Sequence, residues 1–260
     1  MSDTQPTAAV LLIGDEILSG RTKDKNLGFI ADYLVSLGID LKEARVVPDI
    51  EDEIVAALNA LRSRYTYVFT TGGIGPTHDD ITADAVAKAF GVGIDHHPKA
   101  VEILMAHFKA IGREPNEARL RMARIPERAD LIENTVSKAP GFQMGNVFVM
   151  AGIPKVMQAM MDAAAPRLAK GKTVRSLTLL VEGGEGDVAA PLKAIQARYP
   201  NVFIGSYPFE SPKGFSTNLI LRSRDDAALE AAFAETRAMA EALTASGKIR
   251  GFAPLPRAAE

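Results

Sequence analysis

The sequence predicts a three-layer α/β/α fold on a mainly parallel sheet, followed by a small α+β unit. Two observations carry that expectation. Apolar runs of strand length alternate with amphipathic helical stretches through residue 168, and the pattern changes after a polar segment at 169–173. A third observation places the ligand. Acids and glycines recur just past the strand ends, at the edge where open α/β sheets bind small molecules.

Residues 8–13 read as a buried strand and 26–37 as a helix, with Leu27, Ile30, Leu34 and Leu37 at helical spacing and Gly38 as the stop. Residues 41–47 form the next strand. After Pro48 and Asp49, the positions Ile54, Ala57, Leu58 and Leu61 mark a helix over 51–64, and 65–70 return to a β-rich run. Helices follow over 82–90 and 98–111, then a turn at Ala139-Pro140-Gly141, a strand over 147–150 and a helix over 154–168. The second unit reads as strand 176–181, helix 188–198, strands 202–207 and 215–222, and helix 227–243, a βαββα pattern. Ser211-Pro212-Lys213-Gly214 reads as its hairpin loop, and the Pro- and Ala-rich tail after Gly251 is expected to be loose. The expected domains are therefore 1–170 and 174–250.

A chain of 260 residues, 47% of them hydrophobic, can bury one large core and carry an appendage. The formal net charge of −2 gives a nucleic-acid partner no support, so any phosphate-binding surface must be local. The absence of cysteine excludes disulfides, thiolate catalysis and cysteine-ligated metal centres. The apolar run 8–13 is far shorter than the ~18 residues of a membrane span, and no signal-peptide charge pattern precedes it. A cytoplasmic protein without a membrane partner is expected.

The stretch from Thr70 to Thr82 holds the most chemistry. Gly72, Gly73 and Gly75 leave a strand and permit backbone angles and a ligand approach that a Cβ would obstruct, while Thr82 is placed to cap the next helix. Backbone N–H groups there would hold a phosphate, whereas Asp79 and Asp80 would repel it unless a cation lies between. Asp15 and Glu16 follow the first strand and Asp49 the second, so the oxygen donors suit magnesium, manganese or cobalt. The expected metal ligands are Asp15, Glu16, Asp79 and Asp80. The expected phosphate contacts are Thr71, Gly72, Gly73, Ile74, Gly75, Thr82, Gly152, Asn26 and Lys155, with Lys23 and Lys25 nearby. Asp80 is expected to accept a proton from water.

Other patterns are excluded or weaker. The glycine spacing does not match a dinucleotide-binding Gly-x-Gly-x-x-Gly, and Gly171-Lys172-Thr173 has Pro166 where a phosphate loop needs its first glycine. Asp24 and Asn26 are placed to cap a helix, and His78 is the one histidine inside the glycine–acid loop. Arg119, Arg121, Arg124 and Arg128 form a basic cluster expected to face solvent.

Thr71-Gly72-Gly73-Ile74-Gly75 followed by Asp80 and Thr82 resembles the signature of the MoaB/Mog-type molybdopterin-binding domain. Gly14-Asp15-Glu16-Ile17-Leu18-Ser19-Gly20, with Asp24, Asn26 and Pro48-Asp49, is similar to the variant in the N-terminal region of competence/damage-inducible protein A, over about 8–168. Ile204-Gly205-Ser206-Tyr207-Pro208 is similar to the segment that follows in the molybdopterin-binding-like half of eukaryotic FAD synthases. The resemblance implies a MoaB/Mog-like fold and metal-dependent cleavage of a nucleotide diphosphate such as ADP-ribose or FAD. It leaves molybdopterin binding without chemistry, or adenylyl transfer to the pterin, as alternatives. It assigns functional aspartates to Asp49 and Asp80 and implies a nucleotide or pterin phosphate as ligand and self-association of the chain. Ala151 stands where the family commonly has proline.

Overall fold

The computed structural model describes residues 5–212 and 214–256, so Lys213 of the hairpin loop lies outside the described residues. The chain divides into two compact units, Met1–Gly171 and Lys172–Glu260. In chain order the first unit contains β1 (Thr7–Ile13), α1 (Asp15–Leu18), α2 (Asn26–Ser36), β2 (Asp40–Val47), α3 (Glu51–Arg62), β3 (Tyr67–Thr71), α4 (Thr82–Phe90), β4 (Ile94–His96) and α5 (Pro98–Ala110). It continues with α6 (Glu117–Arg121), β5 (Arg124–Pro126), β6 (Asp130–Ile132), β7 (Gly141–Met144), β8 (Val147–Met150) and α7 (Pro154–Ala164). The second unit contains β9 (Arg175–Val181), α8 (Glu185–Arg198), β10 (Phe203–Ser211), β11 (Gly214–Ser223), α9 (Asp226–Ala245) and β12 (Phe252–Pro254).

The main sheet has the order β2-β1-β3-β8-β7-β6. Its first four strands run parallel, β7 runs antiparallel to β8, and β6 pairs antiparallel with β7 and so shares the direction of the first four. Strand periodicity divides the core. Ala9, Leu11 and Ile13 of β1 pack on one face with Ile54, Leu58 and Leu61 of α3, while Ala8, Val10 and Leu12 pack on the other with Ile30 and Leu34 of α2. Successive residues of one buried strand thus feed both helical layers, which makes the three-layer sandwich.

The placement of α2 and α3 on opposite faces also fixes the ligand edge. The chain leaves β1 through α2 to β2, then crosses through α3 to β3 on the far side of β1. The strand order therefore switches between β1 and β3, and a crevice opens beyond their carboxyl ends.

The second unit is an antiparallel sheet of order β10-β11-β9-β12 covered by α8 and α9. The segment expected to be loose after Gly251 instead supplies β12, whose residues Phe252–Pro254 pair with β9. A three-residue edge strand containing proline leaves almost no periodic signal. The same brevity hides β4, β5 and β6 from a sequence reading.

Candidate functional site

The ends of β1, β2 and β3 bring three loops together. Gly72 lies against the end of β1, with φ at +104°, and a Cβ on it would stand 2.1 Å from the Ile13 carbonyl oxygen. No side chain fits there. Gly73 has φ at +65°, and a Cβ on it would meet Thr82 Oγ1 at 2.2 Å. Gly75 faces Asp80, whose Oδ2 would be 2.6 Å from an added Cβ. These glycines let the backbone run close to neighbouring atoms, and the Gly72 N–H donates to the Met150 carbonyl at 3.2 Å.

Thr82 fastens the turn to α4. Its hydroxyl donates to the Gly72 carbonyl at 3.0 Å, its N–H donates to the Gly73 carbonyl at 3.0 Å, and the residue is 0% exposed. The expected helix cap is thus a tie holding the turn's carbonyls inward. Ile81 occupies the cap position without a side-chain bond.

The acids fall into two groups. Asp49 accepts a 2.9 Å hydrogen bond from the Asp15 N–H, yet burial holds its pKa above the ordinary aspartate value, and the charges of Glu16, Asp15 and Asp79 add to the rise. These four carboxylates therefore share one field. Asp79 is itself held below the usual carboxylate range, first by the Thr77 hydroxyl and also by His78. Asp80 is turned away. Its Oδ2 accepts from the Thr77 N–H at 2.8 Å and the Thr77 hydroxyl at 2.6 Å, closing the loop on itself. Oxygen donors around Asp49 suit a hard cation, which would relieve their mutual repulsion. Among the described residues, however, no three acidic or histidine side chains stand close enough to hold an ion, so the expected set Asp15, Glu16, Asp79 and Asp80 is not assembled. Thr77 retains Asp80.

Two clefts flank the glycine turn. One, of about 390 Å³, is lined by Glu16, Lys23, Lys25, Asn26, Thr71 and Gly72, among others, with Gly152 at its wall. There Asn26 Nδ2 donates to the Gly152 carbonyl at 2.8 Å, while Asp24 caps α2 by accepting from the N–H groups of Asn26 and Leu27. Lys155 is exposed at the start of α7 and lines neither cleft. The second cleft, of about 320 Å³, is lined by Gly73, Gly75, Asp80, Asp84, Arg121 and Arg124 together with apolar residues such as Phe142.

Arg121 and Arg124 correct the expectation of a solvated basic cluster. Arg124 grips Asp84 with two bonds of 2.6 and 2.9 Å, and Arg121 donates to the Asp80 carbonyl at 3.1 Å. They are part of the turn's frame. Arg119 instead lies over the Phe108 ring, and Arg128 is exposed. The Asp84 partner stands 40 residues from Arg124, so spacing gave no warning of the pair.

The probable molybdopterin binding domain family matches residues 9–170, and the family described as FAD synthase, middle domain, matches 173–246. A protein from Aeropyrum pernix is 32% identical across 95% of this chain and 94% of its own length. A probable FAD synthase from Caenorhabditis briggsae is 32% identical over 86% of this chain, which spans 48% of that relative. The crystal structure of the protein CinA, of unknown function, from Thermoplasma acidophilum superposes with a TM-score of 0.58 and 34% identity, covering 64% of this chain and 99% of its own.

Proposed function

The chain belongs to the molybdopterin-binding domain family, and from that premise we propose that it hydrolyses the pyrophosphate bond of a nucleotide diphosphate such as ADP-ribose or FAD. One observation carries the proposal. The Asp49 carboxyl, raised in pKa among Asp15, Glu16 and Asp79, stands at the same sheet edge as a turn bared by Gly72 and Gly73.

A diphosphate needs donors for its oxygens, and the turn's N–H groups beyond Gly72, whose own N–H is held by the Met150 carbonyl, would supply them. The negative field shared by Asp15, Glu16, Asp49 and Asp79 would attract a divalent cation, which when bound would neutralise the diphosphate and lower the pKa of a water. Asp49 would accept a proton from a water attacking one phosphorus as the bridging P–O bond breaks, leaving two monophosphates. Its raised pKa brings it nearer the working range of a general base. Asp80 accepts two hydrogen bonds from Thr77 and keeps the turn in shape; in this proposal the proton-accepting role expected of Asp80 is given to Asp49.

Incubating the protein with ADP-ribose, FAD and ATP, with and without magnesium, manganese or cobalt, tests this directly. Cation-dependent release of monophosphates is the expected result; no turnover of any of the three overturns it. The scattered acids favour a second reading, in which a molybdopterin phosphate is carried or adenylylated. Retained pterin fluorescence without turnover, or pterin-dependent consumption of ATP, would identify those cases.

A further inference from the structure

We infer that the cleft beside the start of α2 takes the vicinal hydroxyls of a sugar rather than a phosphate, with Asn26 and Glu16 as the acceptors. The inference rests on the proposal that the ligand is a nucleotide, and it assigns which part of the nucleotide enters this cleft.

The start of a helix ordinarily draws an anion, but here that attraction is already used. The N–H groups of Asn26 and Leu27 donate to the Asp24 carboxylate at 3.2 and 2.9 Å, so a phosphate arriving there would meet a negative charge instead of free donors. Asn26 is 4% exposed, and its Nδ2 is committed to the Gly152 carbonyl at 2.8 Å. A carbonyl only accepts, which fixes the orientation of the Asn26 amide and leaves Oδ1 as its other atom. That Oδ1 has no hydrogen-bond partner. What Asn26 offers is an acceptor that needs a donor.

Glu16 supplies a second acceptor in the same cleft. Its carboxylate folds back over Gly14, where an added Cβ would meet Oε2 at 2.4 Å. Two carboxylate oxygens carry about four acceptor sites, enough for a hydroxyl beside a cation. Two acceptors lining one cleft suit the two O–H donors of a diol, and a carboxylate paired with a sugar diol is a recurrent solution in nucleotide sites. Lys23 and Lys25, both exposed on the cleft's outer wall, are left for the phosphate attached to that sugar.

The test is calorimetric titration of the full chain, in manganese, with ADP and with 2′,3′-dideoxy-ADP. Loss of both hydroxyls should weaken binding about 10-fold or more. In Asn26→Ala the two ligands should bind nearly alike, whereas Asn26→Asp, which keeps an acceptor at that position, should retain the preference. If Asn26→Ala does not fold, Glu16→Ala on the exposed side of the cleft should reduce the preference in its place. Equal binding of the two ligands to the unmodified protein overturns the sugar assignment and leaves the hydrolase proposal standing. Absence of ADP binding together with absence of ADP-ribose hydrolysis overturns both.

Discussion

The glycine turns after β3 and after β9 both lead from a strand into a helix, and of these two the turn after β3 has the geometry of a ligand cradle. After β3, Gly72 and Gly73 take positive φ values and sit where backbone or a buried threonine excludes a Cβ. After β9, Gly183, Gly184 and Gly186 have ordinary negative-side or extended backbone, with no φ in the left-handed region. Gly186 has open space around it, and Gly184 would meet nothing closer than 3.4 Å. There the Gly184 N–H donates to the Asp187 carboxylate at 3.1 Å, and the Asp187 N–H returns to the Gly184 carbonyl at 3.1 Å. The second turn is a helix cap. Glycine content is shared, and Gly183 is itself crowded, with Ile249 2.7 Å from an added Cβ; what differs is the left-handed backbone at Gly72 and Gly73 and the acids gathered beside it.

Substitution can break this contrast. Gly72→Ala should cost roughly 3 kcal/mol or more, because left-handed strain adds to a collision with the Ile13 carbonyl that no side-chain rotation relieves. Gly184→Ala should cost less than ~1 kcal/mol, since its backbone suits any residue and its space is open. Urea unfolding of the two variants checks the difference; equal costs would remove the distinction between the turns.

Asp49→Asn should lower turnover of ADP-ribose about 10²-fold, close to 3 kcal/mol in the barrier, without unfolding the protein. Glu185→Gln, at the second turn, should leave turnover unchanged. Steady-state rates under saturating manganese compare them.

The pH dependence sharpens the same contrast. Burial and neighbouring acids raise the folded pKa of Asp49 above its unfolded value. The group therefore favours the folded state fully below the ordinary aspartate pKa, and this contribution is lost as pH rises through the raised folded value. Asp49→Asn should flatten that part of a stability–pH profile, and the rate of the unmodified protein should climb over the same interval. A smaller effect is expected at the tie to α4. Thr82→Val should cost about 1–2 kcal/mol by leaving the buried Gly72 carbonyl without its hydroxyl donor, as read by thermal or urea unfolding.

Much of the first unit is legible in the sequence because its strands are apolar on both faces and its helices repeat at 3.6 residues. Gly72, Gly73 and Gly75 announce a tight turn by identity alone. Their partners do not. That Gly72 abuts Ile13, or that Thr82 binds the Gly72 carbonyl instead of capping α4, depends on how β1 and β3 stand side by side. Arg121 and Arg124 illustrate the same limit: the short helix α6 has no periodic face to read, and Asp84 lies on another element. The acids after β1 and β2 are visible as residues, but the burial of Asp49 and the effect of Glu16, Asp15 and Asp79 on it depend on how the loops meet.

The central claim is that the bared turn and the acids around Asp49 bind a diphosphate through a divalent cation. Titrating ADP-ribose into the protein in manganese and again in EDTA tests it most directly. Binding in manganese that falls at least 10-fold in EDTA and is similarly weakened in Asp49→Asn is the expected result. Equal affinity with and without the cation, or no binding in either condition, would contradict it.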